Sequence, residues 1–262
     1  MSDAPKRATA QLANAEKPPL YTKPYTHYVL GILTVVYVFN FIDRQILAIL
    51  AQSIKVDLGL SDTQIGALSG IAFGIFYAVL GIPIARLADK YSRVNIISIC
   101  LAIWSLMTAL SGLAGNFWHL LAARIGVGIG EAGGSPPSHS LIADYFPVSG
   151  RASALGIYAL GIPIGILFGN FAGGWIDQYF GWRNAFMLVG IPGIVLAIIL
   201  KLTIKEPPRG YSEGRVPDTK AIPFKEVVRT MWAFKSFRQI AFGAATQAFV
   251  GYGAIAWMPS FL

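Results

Sequence analysis

Long apolar runs separated by short polar connections dominate the chain. A membrane-spanning helix needs about 20 mostly apolar residues, and six runs of that length precede residue 205. A seventh begins near Phe237. The predicted spans are residues 26–50, 63–85, 94–114, 117–143, 151–176, 183–204 and 237–262. This pattern predicts an all-α polytopic membrane protein with a six-helix bundle over residues 26–204.

Polar segments flank the bundle. Residues 1–25 are polar and contain four prolines, which favours a disordered cytoplasmic tail. No short apolar region with a cleavage site precedes the first span, so no cleaved signal peptide is predicted. Residues 205–236 form a charged cytoplasmic linker containing a basic amphipathic stretch, PFKEVVRTMWAFKSF, which predicts a helix lying on the membrane surface. Residues 237–262 are interpreted as the truncated start of a C-terminal bundle.

Composition and charge agree with a membrane location. Only 13% of the 262 residues are charged, about half of the share that is usual in soluble domains. With a cytoplasmic N-terminus, 17 of the 21 Lys and Arg residues lie inside, two lie outside and two lie in the spans. The positive-inside rule therefore predicts a multi-pass protein of the cell (inner or plasma) membrane with its N-terminus in the cytoplasm. The net charge of +8 is distributed between the apolar runs, so no nucleic-acid partner is predicted.

The fourth predicted span carries two charges among glycines. Arg124 and Glu131 stand in the string RIGVGIGEAGGSPP, two helical turns apart and therefore on one helix face. Ionisable groups at membrane depth are costly and by default indicate a substrate or ion path. The glycines allow a neighbouring helix to approach closely. The alternative is a structural ion pair that locks two helices together.

A weak internal repeat relates the two halves of the bundle. Asp43 and Glu131 are 88 residues apart, and so are Asp89 and Asp177. Spans one to three would then recur as spans four to six. Because three is odd, the second copy would enter the membrane from the opposite side. Such inverted 3+3 repeats place the sites of many secondary transporters at the repeat interface.

The connection after the second span resembles the Gly-x-Leu-Ala-Asp-Arg-x-Gly-Arg signature of the major facilitator superfamily. The matching positions are Leu87, Ala88, Asp89, Lys90 and Arg93. Ala85 and Ser92 replace the two glycines. From the residues alone, Asp89, Lys90 and Arg93 at helix ends can form a cytoplasmic gate that holds bundles together in one state. The alternative is an ordinary loop with positive-inside charges.

Other spans extend the resemblance. Gly161, Pro163 and Gly165 loosely resemble the helix-five signature of the superfamily, and a proline in a membrane helix predicts a kink. The strings NFIDRQILA, GEAGGSPPSHSLIADYFP and GWRNAF are similar to the spinster-like branch. This resemblance implies twelve spans in two six-helix bundles, alternating access, and transport coupled to an ion gradient, which we expect to be protons.

The resemblance also implies roles for individual residues. Asp43 and Glu131 would be proton-coupling carboxylates. Arg44 would contact a carboxylate or a substrate phosphate, and Arg124 would pair with a carboxylate or an anionic head group. Adjacent Asp43 and Arg44 point about 100° apart on a helix, so they need not pair with each other. Protonation would neutralise a buried carboxylate and release its arginine, whereas the alternative is again a purely structural pair.

These features predict a proton-coupled transporter of amphipathic lipid-like (lysolipid or sphingoid-type) or organic anionic cargo. A drug/H⁺ antiporter or an organic-acid symporter is the first alternative, and a non-transporting receptor or scaffold is the second. A long apolar pocket open to the bilayer would favour lipid cargo. The seven spans are about half of those implied, so we expect a missing C-terminal half as partner and no transport by this chain alone. The sequence contains no metal-binding, cofactor-binding or nucleophile motif, so neither a cofactor nor an enzyme is predicted.

Overall fold

The computed structural model describes residues 20–213 and 224–257. Every regular element within these ranges is helical, which confirms the all-α prediction. The chain divides into two compact units, one ending at Val216 and one starting at Pro217. Residues 1–19 of the predicted tail lie outside the described residues, and α1 begins at Lys23.

The first unit is a helical bundle. Its elements are α1 (Lys23–Leu58), α2 (Asp62–Gly66), a π-helical turn (Ala67–Ile71), α3 (Ala72–Lys90), α4 (Arg93–Ser111), α5 (Phe117–Glu131), α6 (Ser135–Tyr145), α7 (Val148–Ala159), α8 (Gly161–Thr203) and a 3₁₀ turn (Tyr211–Glu213). In the described part, four stretches are long and apolar enough to cross a membrane: Lys23–Leu58, Asp62–Lys90, Arg93–Ser111 and Val148–Thr203. The multi-pass prediction therefore agrees with the helices observed.

α1 extends well beyond the predicted first span. It runs unbroken for 36 residues, whereas the apolar pattern predicted only residues 26–50. Asn40 and Asp43 are 4% and 1% exposed, so these polar side chains face the bundle interior and leave the helix intact. The helix ends at Gly59, which has a left-handed φ of 63°. Glycine adopts this conformation without strain because it has no Cβ.

The predicted fourth span is broken. One helix over residues 117–143 was expected, but residues 132–134 form a turn between α5 and α6. Gly134 N–H donates to the Glu131 carbonyl over 3.0 Å. This bond spans three residues rather than the four of an α-helix, so the chain turns more tightly here. Pro136 and Pro137 follow and have no N–H with which to continue the ladder of α5. The expectation of one continuous helix is therefore wrong.

The fifth predicted span is also interrupted, and a break in the backbone lies between the fifth and sixth predicted spans. Leu160 separates α7 from α8, and Pro163 has no N–H to donate to the carbonyl of Ala159. Within α8, Gly181 has a φ of 79° and a ψ of 160°, which breaks the regular helix. The stretch Val148–Thr203 has 56 residues, which is enough for one membrane crossing on each side of this break.

A row of glycines brings α8 close to α1. Its members are four residues apart and buried: Gly161, Gly165, Gly169 and Gly173. A Cβ placed on Gly165 would lie 2.6 Å from both the Cβ of Phe41 and the carbonyl oxygen of Val38. Small residues at this spacing allow membrane helices to approach closely. The row therefore fixes where α1, with its charged residues, lies in the bundle.

Two apolar clusters fill the interior of the first unit. One surrounds residues 29–36 of α1 and includes Trp104 and Leu200. The other surrounds residues 46–54 of α1 and includes Phe186. The polar residues 40–44 of α1 lie between the two clusters along the helix. The candidate site therefore lies between two apolar regions of the bundle.

The second unit contains α9 (Phe224–Ala233) and α10 (Lys235–Trp257). α9 falls within the stretch for which the sequence predicted an amphipathic helix. The rings of Trp232 and Phe242 lie 6.2 Å apart, so α9 contacts the beginning of α10. The predicted seventh span includes α10 from Phe237 onwards, and its last residues, 258–262, lie outside the described part.

Candidate functional site

Two ion pairs join α1 to α5 in the interior of the first unit. Arg44 Nε donates to Glu131 Oε2 over 2.8 Å. Arg124 Nη1 donates to Asp43 Oδ2 over 3.3 Å. The pairs are crossed, because each carboxylate is bound by the arginine of the other helix. The structure therefore brings together all four residues that the sequence singled out on the first and fourth spans.

The four charges are buried and balance one another. Asp43, Arg124 and Glu131 are 1%, 2% and 1% exposed. The Arg44 side chain is 18% exposed, so it is the most accessible of the four. Two cations and two anions leave the cluster neutral when both carboxylates are ionised. Loss of any one charge leaves an uncompensated charge in the interior, which is strongly unfavourable.

Thr108 on α4 contacts the Asp43 carboxylate. Its hydroxyl oxygen lies 2.5 Å from Asp43 Oδ1 and 2.9 Å from the carbonyl oxygen of Trp104. A threonine hydroxyl has one proton to donate and can also accept. It can therefore donate to an ionised Asp43, or accept from a protonated Asp43 while donating to Trp104. Sequence reasoning missed this residue, because a threonine in an apolar helix carries no distinguishing signal.

Aromatic rings surround the Arg44 guanidinium. Its central carbon lies 5.2 Å from the ring centre of Phe41, 5.1 Å from that of Phe73 and 4.8 Å from that of Tyr77. Phe73 also lies 5.8 Å from the guanidinium of Arg124. Cations over aromatic faces gain electrostatic stabilisation. α3, which carries two of these rings, therefore forms a third side of the site.

Glycines in α5 set its distance from its neighbours. A Cβ on Gly130 would lie 2.7 Å from the backbone nitrogen of Trp104 on α4. A Cβ on Gly128 would lie 2.8 Å from the carbonyl oxygen of Phe73 on α3. Larger residues would push α5 away from both helices. The glycine-rich composition therefore determines where Arg124 and Glu131 sit.

Three buried polar atoms at or next to the ion pairs retain unused hydrogen-bonding capacity among the described residues. They are Asn40 Oδ1, Arg124 Nε and Glu131 Oε1. Asn40 precedes Asp43 and Arg44 by three and four positions, so the three share one face of α1. Buried polar groups are normally hydrogen-bonded. The site can therefore accept further hydrogen-bonding groups without breaking either ion pair.

A second charged cluster surrounds Arg93 at the start of α4. This arginine is 1% exposed. Its guanidinium donates to Asp144 over 2.5 Å, to Glu206 over 2.7 Å and to the Pro207 carbonyl over 3.0 Å. Glu206 also accepts from the hydroxyl of Ser92 and from the Val94 N–H, both over 2.9 Å. Arg93 therefore connects α4, α6 and the segment after α8.

The three predicted gate residues are not brought together. Asp89 and Lys90 are exposed at the end of α3, whereas Arg93 is buried in the cluster just described. Sequence reasoning missed Asp144 and Glu206, the partners of Arg93. Both stand just beyond the ends of predicted spans, where charges are common. Only the tertiary structure therefore distinguishes them from ordinary loop residues.

Tyrosines brace the same end of the bundle. Tyr21 stacks on Tyr145 with ring centres 5.1 Å apart, and the Tyr145 hydroxyl donates to the Lys205 carbonyl over 2.5 Å. The Tyr25 hydroxyl donates to the Thr203 carbonyl over 2.8 Å. Burial, and to a lesser extent Tyr25, raises the pKa of Tyr21. These contacts hold the start of α1 against the ends of α6 and α8.

An exposed cluster lies at the opposite end of α1. Asp57 accepts hydrogen bonds from Arg183 and from the indole nitrogen of Trp182, the latter over 3.2 Å. Arg183 also donates to the Ala114 carbonyl over 3.2 Å. The Arg183 and Asp57 side chains are 41% and 46% exposed, so this pair contributes little to stability. No group of three or more His, Cys, Asp or Glu residues suited to a metal occurs in the described part of the chain.

A bundle of long apolar helices with charged residues paired in its interior is typical of a polytopic membrane protein. The sequence profile of the Major Facilitator Superfamily matches residues 33–262, and the chain belongs to this family. Its members are transporters rather than enzymes.

Within the family, the chain is similar to spinster proteins, which confirms the resemblance found in the sequence. It matches the crystal structure of a bacterial homolog to the human lysosomal transporter spinster, inward-facing and unoccupied. The TM-score is 0.77 and the identity 43%, over 92% of this chain and 56% of that one.

Two curated relatives have different names. An MFS-type efflux pump of Mycolicibacterium smegmatis is 34% identical over 88% of this chain and 53% of its own length. A hexuronate transporter of Bacillus subtilis is 31% identical over 86% of this chain and 54% of its own length. The chain therefore spans about half the length of these relatives.

Proposed function

We propose that the chain forms a six-helix half of a proton-coupled secondary transporter that moves amphipathic lipid-like or organic anionic cargo by alternating access. The observation that carries this proposal is the pair of crossed, buried ion pairs between α1 and α5. Because the chain spans about half the length of its relatives, a C-terminal half or a second chain is proposed to complete the transport path.

The proton step follows from the charge balance of the site. When Glu131 binds a proton, it no longer offers a negative charge to Arg44, and the cluster of four gains one positive charge. Arg44 is the most accessible member, so it is the group that would meet an anionic head group. Proton binding and cargo binding are thereby coupled through one arginine.

Asp43 provides a second protonation site in this proposal. A proton on Asp43 weakens its attraction for Arg124, and Thr108 can reverse its hydrogen bond to stabilise the neutral acid. Both changes loosen the connection between α1 and α5. Such a change favours whichever bundle arrangement separates the two helices, which is a shift between existing states.

The surroundings of Arg44 support an amphipathic anion as cargo. The guanidinium provides a charge for a phosphate or carboxylate, and arginine binds both through paired N–H donors. Phe41, Phe73 and Tyr77 provide apolar surface beside that charge. Lysolipids and sphingoid-type phosphates combine these two properties.

Two alternative cargoes are supported by the relatives. Similarity to an efflux pump favours a drug/H⁺ antiporter, and similarity to a hexuronate transporter favours an organic-acid symporter. A cationic drug would be repelled by an unpaired Arg44, whereas a small sugar acid would use its charge but not the three rings. Competition between cargo classes therefore separates the alternatives. A non-transporting receptor or scaffold is not favoured by either relative.

The orientation is proposed from the charge distribution. With 17 of 21 basic residues on one side, the N-terminus would be cytoplasmic in the cell membrane. The Arg93 cluster would then also face the cytoplasm, because α4 starts on that side. Labelling with membrane-impermeant reagents at residues on each side in intact cells tests this arrangement.

The decisive experiment is proton flux in proteoliposomes that contain this chain together with the proposed C-terminal half or second chain. A pH-sensitive dye inside the vesicles reports flux on addition of lysolipids, sphingoid phosphates, hexuronates or cationic drugs. Asp43→Asn and Glu131→Gln should abolish cargo-driven flux when vesicles with equal amounts of inserted protein are compared. Asp62→Asn is the matched control, because Asp62 is 82% exposed outside the predicted spans.

Wild-type flux and pH dependence in both Asp43→Asn and Glu131→Gln would refute the assignment of the coupling site. Vesicles that contain this chain alone should show no flux. Uptake by the chain alone would refute the need for a second half and leave the site assignment standing.

A further inference from the structure

α9 presents an apolar face that is not covered. At 100° per residue, Val227, Val228, Met231 and Trp232 fall within an arc of about 140°. These four side chains are 36%, 42%, 42% and 50% exposed. Glu226, Arg229 and Thr230 occupy the opposite side of the helix. A short helix with this division is suited to the boundary between lipid chains and head groups.

The charge around this helix is strongly positive. Residues 224–257 contain four basic residues and a single acidic one, Glu226. Arg229 lies on the polar side of α9, and Lys235 and Arg238 lie in the first turn of α10. Basic residues beside an inserted apolar face are attracted to anionic lipids at the membrane surface. A partner protein with an acidic surface would attract these basic residues but would not account for the exposed apolar row.

The contact between α9 and α10 defines the level along the predicted seventh span at which the apolar face of α9 lies. The Trp232 ring lies 6.2 Å from that of Phe242, two turns into α10. α10 becomes apolar after Arg238 and falls in the predicted seventh span. The apolar side of α9 therefore lies beside the first turns of that span, where the span enters the membrane. Tryptophan is enriched at this level of membrane proteins.

We propose that α9 is a binding site for anionic phospholipid. Its apolar row enters the lipid interface, and Arg229, Lys235 and Arg238 contact the phosphate groups of lipids such as phosphatidylglycerol. This inference rests on the second unit alone and does not depend on the transport function. It makes the position of α9 dependent on lipid charge and on ionic strength.

The test places an environment-sensitive dye on each side of α9 in the full chain. Cys100 is buried and is the only cysteine, so Cys100→Ala gives a background without thiols. Val228→Cys then reports from the apolar face, and Thr230→Cys is the matched control on the polar face. The labelled chain is reconstituted in vesicles of phosphatidylcholine, with or without phosphatidylglycerol, and quenched with spin-labelled lipid.

Lipid quenching at Val228→Cys should be at least twofold stronger in vesicles with phosphatidylglycerol, and added salt should remove the difference. Thr230→Cys should show little quenching in either lipid. Charge reversal by Arg229→Glu together with Lys235→Glu should abolish the lipid dependence, and the salt titration keeps the test valid if that variant fails to insert. Equal quenching in both lipids, or protection of Val228→Cys from lipid and aqueous quenchers alike, would show that a neutral interface or a protein surface covers α9 and would overturn the proposal.

Discussion

The crossed pairing of α1 and α5 predicts which residues are energetically coupled. Asp43→Asn and Arg124→Gln are made singly and together, and the free energy of unfolding is measured for each. Both residues are at most 2% exposed, and removing one member of a buried ion pair typically costs about 3–5 kcal/mol. The double variant removes both charges and leaves no buried ion unpaired. It should therefore cost less than the sum of the two single variants, by about 1–3 kcal/mol.

The Arg44–Glu131 pair should show a smaller coupling. The Arg44 side chain is 18% exposed and keeps its three aromatic neighbours when Glu131→Gln removes the negative charge. Partial access to solvent screens the remaining charge. A third cycle combines Asp43 with Arg44, which are adjacent in sequence but have different partners. Its coupling should be smaller than that of either cross-helix pair.

The assay is reversible unfolding of the purified chain in mixed detergent–lipid micelles by a denaturing detergent, followed by the helical circular dichroism signal. Asparagine and glutamine preserve side-chain shape, and the asparagine introduced by Asp43→Asn could still accept from the Thr108 hydroxyl, so packing changes little. If the Asp43–Arg44 cycle showed coupling equal to or above that of Asp43–Arg124, the crossed arrangement would be wrong.

Two further predictions concern packing and the Arg93 cluster. Gly165→Ala should destabilise the chain by about 1–3 kcal/mol, because its Cβ would lie 2.6 Å from that of Phe41. Gly156→Ala, with open space around it, should be neutral. Equal effects of the two variants in the same assay would contradict close packing of α8 against α1. Arg93→Lys should cost about 1–3 kcal/mol by losing bonds to two carboxylates. Arg183→Lys in the exposed pair should cost clearly less, and similar losses would argue against Arg93 as a buried connector.

The site residues on the first and fourth spans could be found from sequence because charge is rare there. Asp43, Arg44, Arg124 and Glu131 interrupt long apolar runs, and that contrast alone marks them. Thr108 could not be found in this way, since a hydroxyl is common in membrane helices. Asp144 and Glu206 were missed because acids near span ends are ordinary. In each case the missing information is which distant residue lies within hydrogen-bonding distance.

Helix boundaries show a similar division. The apolar runs predicted helices along most of residues 26–204, but α1 proved longer than its apolar run, because the more polar residues 51–58 continue the same helix. The fourth span proved to be two helices, because Gly133, Gly134 and the following prolines end one ladder and begin another. Hydropathy measures how apolar a stretch is, and it does not report local hydrogen bonding.

By itself, the sequence determined the all-α membrane class, the family and the four charged residues of the candidate site, because apolar length, short signatures and rare buried charges are local properties. Only the tertiary structure decided that Asp43 pairs with Arg124 and Arg44 with Glu131, and that Arg93 binds Asp144 and Glu206 while Asp89 and Lys90 stay exposed. Pairing depends on the distance between helices remote in sequence. That distance is set by glycine contacts such as those of Gly130 and Gly165, which exist only once the helices are packed.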